Sequence, residues 1–148
     1  FKFDVSLLDG FPNDPWVIKD GDTHVMYYAA VKGDFTDTNA VRLFRATSKD
    51  GIDWKRNSVP LLASGPSGSW DSVKIETPSI VKLPDGAYRM YYAGSNIPDS
   101  EAGFQMGFAI SRDGINWEKY SGNPILKLGE KGSFDEITIG EPSVLIKD

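Results

Sequence analysis

The chain contains no cysteine and only one histidine, His24, among its 148 residues. It therefore has no disulfide, no thiolate zinc site and no thiol nucleophile, and a site built on several histidines is excluded. No stretch approaches the ~20 apolar residues that a membrane-spanning helix needs, and no signal peptide is recognisable. The sequence predicts a soluble protein with no metal, no cofactor and no membrane contact, and leaves secreted and cytoplasmic locations open.

Positive charge is also scarce. Lysine and arginine total 16 against 21 acidic residues, which gives a formal net charge of −5. Nucleic-acid phosphates and anionic membrane surfaces both require basic patches, so neither is an expected partner. Helical periodicity with capping residues is missing over any useful length, which favours an all-β protein.

An internal repeat is the strongest feature that is present. Four pairs of segments recur 63 or 64 positions apart: "GSWDSVKIETPSI" and "GSFDEITIGEPSV" (68–80, 132–144), "VMYYAA" and "RMYYAG" (25–30, 89–94), "ATSKDGIDW" and "AISRDGINW" (46–54, 109–117), and "VPLL" and "NPIL" (59–62, 123–126). Such a period indicates a repeat architecture. We divide the single domain 1–148 into units at approximately 12–74, 75–138 and 139–148.

Each complete unit is expected to contain four short strands. The first follows a proline (15–19, 78–83 and 142–147), the second covers 23–30 or 87–94, the third 41–48 or 104–111, and the fourth carries Trp54 or Trp117. Apolar residues occupy both faces of the second strand, whereas a sheet with one wet face would alternate apolar and polar residues. A repeated four-stranded sheet that is buried on both faces is a β-propeller blade.

The number of units is too small for a closed ring. Propellers close with ~4–8 blades, and this chain supplies two four-stranded blades and part of a third. We therefore expect that another chain or a missing segment completes the propeller, and favour a fragment of a longer protein. Residues 1–6 are expected to be a strand of a preceding blade.

Three acids gather at one end of the predicted blades. Asp14 and Glu141 directly precede the proline of their unit, and Glu76 lies two positions before its own. In an antiparallel blade this end also carries the long loops 30–40 and 94–103, where functional residues concentrate. Paired carboxylates in a central pocket suit the cleavage of glycosidic bonds, because one protonates the leaving oxygen while the other activates water or attacks the sugar.

Over its whole length the chain resembles the five-bladed propeller glycosidases of glycoside hydrolase families 43 and 32, and the mannoside phosphorylases of family 130. The segments that carry the resemblance are "NDPWVIKDGDTHVMYYAA", "WDSVKIETPSIVKLPDGAYRMYYAG", "SKDGIDW", "SRDGINW" and "GEPSVLIKD". The resemblance implies that Asp14 is the base or nucleophile, Glu141 the proton donor and Glu76 a supporting acid. The substrate it implies is an oligosaccharide or polysaccharide.

Four further residues are candidates for substrate binding. Trp16 and Trp70 lie near the pocket end and are predicted to stack on sugar rings. Arg45 lies outside the repeat, and the sequence leaves open whether it holds a carboxylate, a substrate hydroxyl or a salt bridge between blades. Asn96 belongs to the loop 94–103.

Other prominent residues are interpreted as structural. Asp71 and Asp135 repeat with their aromatic neighbours and are expected to build the blade. Asp50 and Asp113 are expected to bind the backbone of the "S-x-D-G" turns. His24 is expected to be an ordinary strand residue.

Two alternatives to an enzyme remain at this stage. One is a non-catalytic carbohydrate-binding propeller in which the acids bind sugar hydroxyls. The other is an inactive fragment of a larger glycosidase or glycoside phosphorylase.

Overall fold

The computed structural model describes residues 12–31, 41–98 and 100–147. Within these ranges the chain forms strands and no helix, as the sequence predicted. The strands make two four-stranded antiparallel sheets, each in sequence order. The first blade contains β1 (Pro12–Asp20), β2 (Thr23–Val31), β3 (Val41–Ser48) and β4 (Lys55–Arg56); the second contains β5 (Lys74–Lys82), β6 (Tyr88–Ser95), β7 (Gln105–Ser111) and β8 (Glu118–Lys119).

Turns at the end opposite the acids close each blade. Asp50 accepts hydrogen bonds from the N–H groups of Ile52 and Asp53, both at 2.9 Å. These bonds favour the ionised carboxylate and lower the pKa of Asp50 to about 2. Asp113 makes the equivalent bonds to Ile115 and Asn116. The structural role predicted for both aspartates is confirmed.

The main apolar core lies between the two blades. Side chains of β2 such as Val25, Tyr27 and Ala29 pack against residues of β5 and β6. The Trp16 indole N–H donates to the Ile80 carbonyl at 2.8 Å, and the Tyr27 hydroxyl donates to the Gly114 carbonyl at 3.1 Å. Both bonds cross from one blade to the other and fix their relative position.

The opposite face of β2 has its own buried cluster. Met26, Tyr28, Ala30 and Ala46 form it, with Phe44 and Trp54 packed against it. Burial of both faces of this strand confirms the blade interpretation. A groove of about 430 Å³ opens on this side, and its lining includes Pro15, Val17, His24, Met26, Tyr28 and Trp54.

Three details of the predicted strands are corrected. Strands β1 and β5 begin earlier than expected, because each continues through its proline by means of a bulge. The fourth strands are two residues long and follow Trp54 and Trp117 instead of containing them. Residues 142–147 form no strand. Residues 1–6 lie outside the described residues.

Candidate active site

Each unit begins with a residue whose backbone is in the left-handed region, and a proline follows each time. Asp14, Thr77 and Glu141 have φ angles of 49°, 50° and 56°. At the first two, the pairing with the neighbouring strand shifts register, so that the residue and its proline bulge out of the ladder. A bulge redirects side chains and is common beside functional sites. The fold thus presents one side chain at the same point of three successive units.

Thr77 is the structural counterpart of Asp14 and Glu141. Glu76, the acid that the sequence identified in this unit, comes one residue earlier and pairs with Ala93 on β6. The Glu76 side chain therefore projects from the last paired position before the bulge, and not from the bulge itself. The acid of the second unit is thus displaced by one residue in the structure, as it is in the sequence.

This backbone geometry is costly, most of all at Thr77. Left-handed residues other than glycine cost ~1–3 kcal/mol each and cluster at functional sites, and for a β-branched residue the conformation is a genuine outlier. The Thr77 Oγ1 atom is also buried without a hydrogen-bond partner in the described part of the chain. The strained conformation recurs at the same position in three units, so it belongs to the repeat, and it makes this position a candidate functional site.

Asp14 lies at the junction of the blades. Burial raises the pKa of its carboxyl above the ordinary 3.8, whereas a hydrogen bond from the Thr77 backbone N–H lowers it. The negative charges of Glu141 and Glu101 raise it again. A backbone hydrogen bond from the second blade therefore holds the Asp14 carboxylate, and the carboxylates of two further segments raise its pKa.

Glu76 has the most perturbed carboxyl of the group. Burial, followed by repulsion from Glu101 and Asp14, raises its pKa from 4.5 to about 7, against an opposing effect of Lys74. A carboxyl that titrates near neutral pH is able to give or take a proton under ordinary conditions, which is a common property of catalytic acids and bases.

Sequence reasoning missed Glu101 as a member of this site. It lies in the loop between β6 and β7, which the topology had already assigned to the acid end. The Lys74 ammonium donates to the neighbouring Ser100 carbonyl at 2.7 Å and lies 3.7 Å from Glu101 Oε1. The signal available in the sequence was an acid in a long loop at the correct end.

The segment that leads to Glu141 is fixed against the same loop. The Gly103 N–H donates to the Ile137 carbonyl at 2.8 Å, and the Ile139 N–H donates to the Phe104 carbonyl at 2.9 Å. These backbone bonds set the path of the chain just before Glu141. Four carboxylates from four chain segments, those of Asp14, Glu76, Glu101 and Glu141, therefore gather at one end of the blades.

Both of the predicted sugar-stacking residues take part in packing. Trp16 is partly buried and bonded to Ile80, as described above. Trp70 packs against the main core and stacks on Tyr92, with ring centroids 5.7 Å apart and planes 27° from parallel. Whether either indole also meets a sugar stays a prediction.

Arg45 and Asn96 fall at different ends of the blade. Arg45 pairs with Tyr27 on β2, and its charge acts on Tyr27 and on Asp20 at the turn. The structure therefore does not bring Arg45 to the carboxylates, because its strand position directs it toward the blade interface. Asn96 is exposed directly after β6, at the acid end.

Asp71 is structural, as its repetition indicated. It is 2% exposed, pairs with Lys119 at 2.5 Å and accepts from the Tyr92 hydroxyl at 3.3 Å. Its counterpart Asp135 is only half-buried and accepts from Ser133. The same residue type thus anchors the second blade more tightly than the segment that follows it.

Among residues 12–31, 41–98 and 100–147, no group of three or more His, Cys, Asp or Glu side chains is arranged to hold a metal ion. No helix in those ranges is long and apolar enough to cross a membrane.

Solved structures share the fold of this chain. A family 117 glycoside hydrolase of Zobellia galactanivorans, Zg3597, superposes with a TM-score of 0.77 at 20% identity, over 97% of this chain and 47% of its own. A protein of Bacteroides ovatus assigned as a glycoside hydrolase is 29% identical over 73% of this chain and 30% of its own, with a TM-score of 0.60.

A third structure represents the GH130 family of mannoside phosphorylases, which contains glycoside hydrolases that target beta-1,2 mannosidic linkages. It is 25% identical, with a TM-score of 0.59, over 74% of this chain and 31% of its own. The chain thus spans less than half of each of these three proteins.

Sequence comparison gives a curated relative and a family. The A type blood N-acetyl-alpha-D-galactosamine deacetylase of Flavonifractor plautii is 40% identical over 57 residues, which are 34% of this chain and 7% of the deacetylase. The family model for the glycosyl hydrolases family 32 N-terminal domain matches residues 8–147, nearly the whole chain. The chain therefore belongs to the family of the glycosyl hydrolases family 32 N-terminal domain.

Proposed function

We propose that this chain supplies the carboxylates of a glycoside-cleaving site, with Asp14 as base or nucleophile, Glu141 as proton donor and Glu76 in support. The observation that carries the proposal is the left-handed, pre-proline geometry at Asp14, Thr77 and Glu141. It repeats at the start of three units and places acids in two of them. The family to which the chain belongs is a glycosyl hydrolase family, which supports a role of these acids in glycoside cleavage.

The electrostatics of the site suit acid–base catalysis. Cleavage of a glycosidic bond needs a proton on the leaving oxygen and a carboxylate that either attacks the sugar carbon or activates water. Mutual repulsion separates the protonation states of neighbouring carboxyls, so that one keeps its proton while another is ionised. Glu76, with a pKa of about 7, is therefore a rival to Glu141 for the role of proton donor.

The substrate that we propose is an oligosaccharide or polysaccharide. The named relatives include a glycoside hydrolase, a mannoside phosphorylase family and a deacetylase of an N-acetylated sugar. They differ in reaction but share carbohydrate substrates. We also propose that further chain or a second polypeptide completes the ring around the pocket, since two blades leave it open.

The test measures the activity of carboxylate variants of the full gene product on substrates with good and with poor leaving groups. Asp14→Asn, Glu141→Gln and Glu76→Gln are assayed on aryl glycosides and oligosaccharides, with and without inorganic phosphate. Loss of the nucleophile or base is expected to lower kcat about 10³-fold or more on every substrate. Loss of the proton donor should spare dinitrophenyl glycosides, whose leaving group needs no proton. Glu118→Gln, an exposed glutamate on β8, is the control.

Each outcome decides between the candidate functions. If both Asp14→Asn and Glu141→Gln keep full activity, the assignment is wrong. Sugar binding by calorimetry without turnover in the wild type would favour the non-catalytic binding propeller. If Glu76→Gln loses activity only on substrates with poor leaving groups, the role of proton donor would move from Glu141 to Glu76.

A further inference from the structure

Lys74 is a buried cation beside the carboxylates that the proposed mechanism does not use. It is 4% exposed, although lysine is almost never fully buried unless it is paired. It lies on β5 two residues before Glu76, so that both side chains project from the same face of the strand. A buried ammonium at this place requires an explanation beyond packing.

Within the described part of the chain, Lys74 contacts the loop that carries Glu101 and the end of that loop. The ammonium donates to the Ser100 carbonyl at 2.7 Å and lies 3.7 Å from Glu101 Oε1. It also lies 5.4 Å from the centre of the Phe104 ring, within reach of a cation–π interaction. Lys74 thus ties the first strand of the blade to the loop between its second and third strands.

The repeat does not require this lysine. The equivalent position is Phe11 in the first unit and Thr138 in the third. Those two units also lack an acid at the position of Glu76, where they have Asn13 and Gly140. Lysine and glutamate therefore occur together in the one unit whose acid is displaced by a residue, which points to a joint role.

We propose that Lys74 is a positioning residue, which holds the Ser100–Glu101 corner of the loop against the site and keeps the Glu101 carboxylate facing Glu76. Its significance for catalysis rests on the proposed function. Among the described residues, the charged groups that act on Glu76 are Asp14 from β1, Glu101 from the loop and Lys74 from its own strand, with Glu141 acting on Asp14. The Arg42 guanidinium of β3 donates to the Val73 carbonyl beside Lys74 at 2.6 Å. Within the set that acts on Glu76, Lys74 carries the positive charge, so it balances the acids as well as orienting one of them.

The first experiment needs no turnover and uses this chain itself. The side-chain carboxyl ¹³C signals of Glu76 and Glu101 are titrated by NMR in the wild type, Lys74→Met and Lys74→Arg. In the wild type, Glu101→Gln should lower the Glu76 midpoint, whereas in Lys74→Met it should change that midpoint much less, because Glu101 is no longer held there. Lys74→Met should also speed amide exchange at residues 100–102, and Lys74→Arg should restore both results toward the wild type.

A purely structural role for Lys74 predicts something else. It would lower the melting temperature of Lys74→Met while Glu101→Gln lowers the Glu76 midpoint equally with and without the lysine, and that result overturns the proposal. If Lys74→Met does not fold, Glu101→Gln tests the same geometry, because removing that negative charge should lower the Glu76 midpoint. An unchanged midpoint in folded Glu101→Gln also overturns it.

The second experiment separates this inference from the proposed function. In the full gene product, Lys74→Met should move the pH profile of kcat/KM in the direction of the Glu76 midpoint, and Lys74→Arg should restore it. A titration that moves while Asp14→Asn and Glu141→Gln keep activity would leave Lys74 as a positioning residue in a site that is not catalytic. An unmoved titration together with inactive Asp14→Asn would contradict only the role of Lys74.

Discussion

At the scale of single residues, the conformation before each proline decides which side chain enters the site. Asp14 and Glu141 occupy the left-handed position in their units, and Thr77 occupies it in the second. The Thr77 N–H stabilises the Asp14 carboxylate, so this residue contributes through its backbone where the others contribute an acid. The second blade keeps its own carboxylate, Glu76, at the preceding ladder position.

Glu76 leads to a prediction about stability and pH. Its pKa is about 7 in the folded chain and near 4.5 when unfolded, so the folded state binds the proton more tightly. Between these two pH values the Glu76 carboxyl loses its proton in the unfolded state but keeps it in the folded state. The free energy of unfolding therefore falls as pH rises. We expect a loss of about 2 kcal/mol across this window, allowing for partial exposure to water.

Urea denaturation of the chain between pH 4 and pH 8 measures this effect. Glu76→Gln mimics the protonated form, so it should lack this part of the fall and be more stable than the wild type at pH 8. Glu118→Gln, the exposed control, should follow the wild type. Parallel curves for Glu76→Gln and wild type would contradict the assignment of the raised pKa to Glu76.

At the scale of strands, the two blades cover equivalent tyrosines of their second strands with different aromatic side chains. In the first blade Phe44 on β3 stacks on Tyr28 of β2, with ring centroids 5.9 Å apart. The repeat places Gly107 where Phe44 stands and Tyr92 where Tyr28 stands, and here Trp70 stacks on Tyr92 at 5.7 Å. An aromatic ring covers the tyrosine in both blades, supplied once by a strand and once by a loop.

This exchange predicts that Gly107 tolerates no side chain. A Cβ atom at Gly107 would lie 2.5 Å from Tyr92 Cζ and 2.6 Å from a ring carbon of Trp70. Gly107→Ala should therefore lower the free energy of unfolding by about 1–3 kcal/mol through overpacking. Thermal denaturation followed by near-ultraviolet circular dichroism reports both the stability and the Trp70–Tyr92 contact.

Gly140→Ala is the matched control for Gly107→Ala. The nearest atom to a Cβ at Gly140 is the Ala93 Cβ at 4.0 Å, so this substitution should change stability by less than about 0.5 kcal/mol. Equal stability of the two variants would show that Trp70 does not fill the space of the missing Phe44 ring.

At the scale of the molecule, the two blades differ in how one matching apolar face is covered. The face of the second blade that includes Met90 and Tyr92 is covered by the first blade. The equivalent face of the first blade, with Met26 and Tyr28, borders the apolar groove described above. Since the two faces are built from matching residues, the groove has the character of a blade interface.

Exposed apolar surface of this kind binds hydrophobic dyes. Val17 lines the groove and is 48% exposed. We expect the isolated chain to enhance the fluorescence of anilinonaphthalene sulfonate, and Val17→Lys to reduce that enhancement at least about twofold, since it places a charge in the apolar lining of the groove. Val59→Lys, at a residue 71% exposed and outside the groove, should leave it unchanged. Equal loss in both variants would show that the dye binds elsewhere.

The sequence by itself determined the repeat, the all-β fold and the end at which the acids gather. These follow from patterns of apolar and turn residues, which physical chemistry ties to strands, hairpins and two-sided burial. It also located Asp14, Glu76 and Glu141 at that end as candidate acids, because a proline marks the start of each unit.

Only the tertiary structure decided which groups act on one another. The proximity of Glu101 and the burial of Lys74 depend on how a loop folds back onto β5, and no local pattern encodes a contact across 26 positions. The same holds for Arg45, whose strand position was predictable but whose neighbours were not. The raised pKa of Glu76 follows from burial and from charges on other segments, which exist only once the blades are packed.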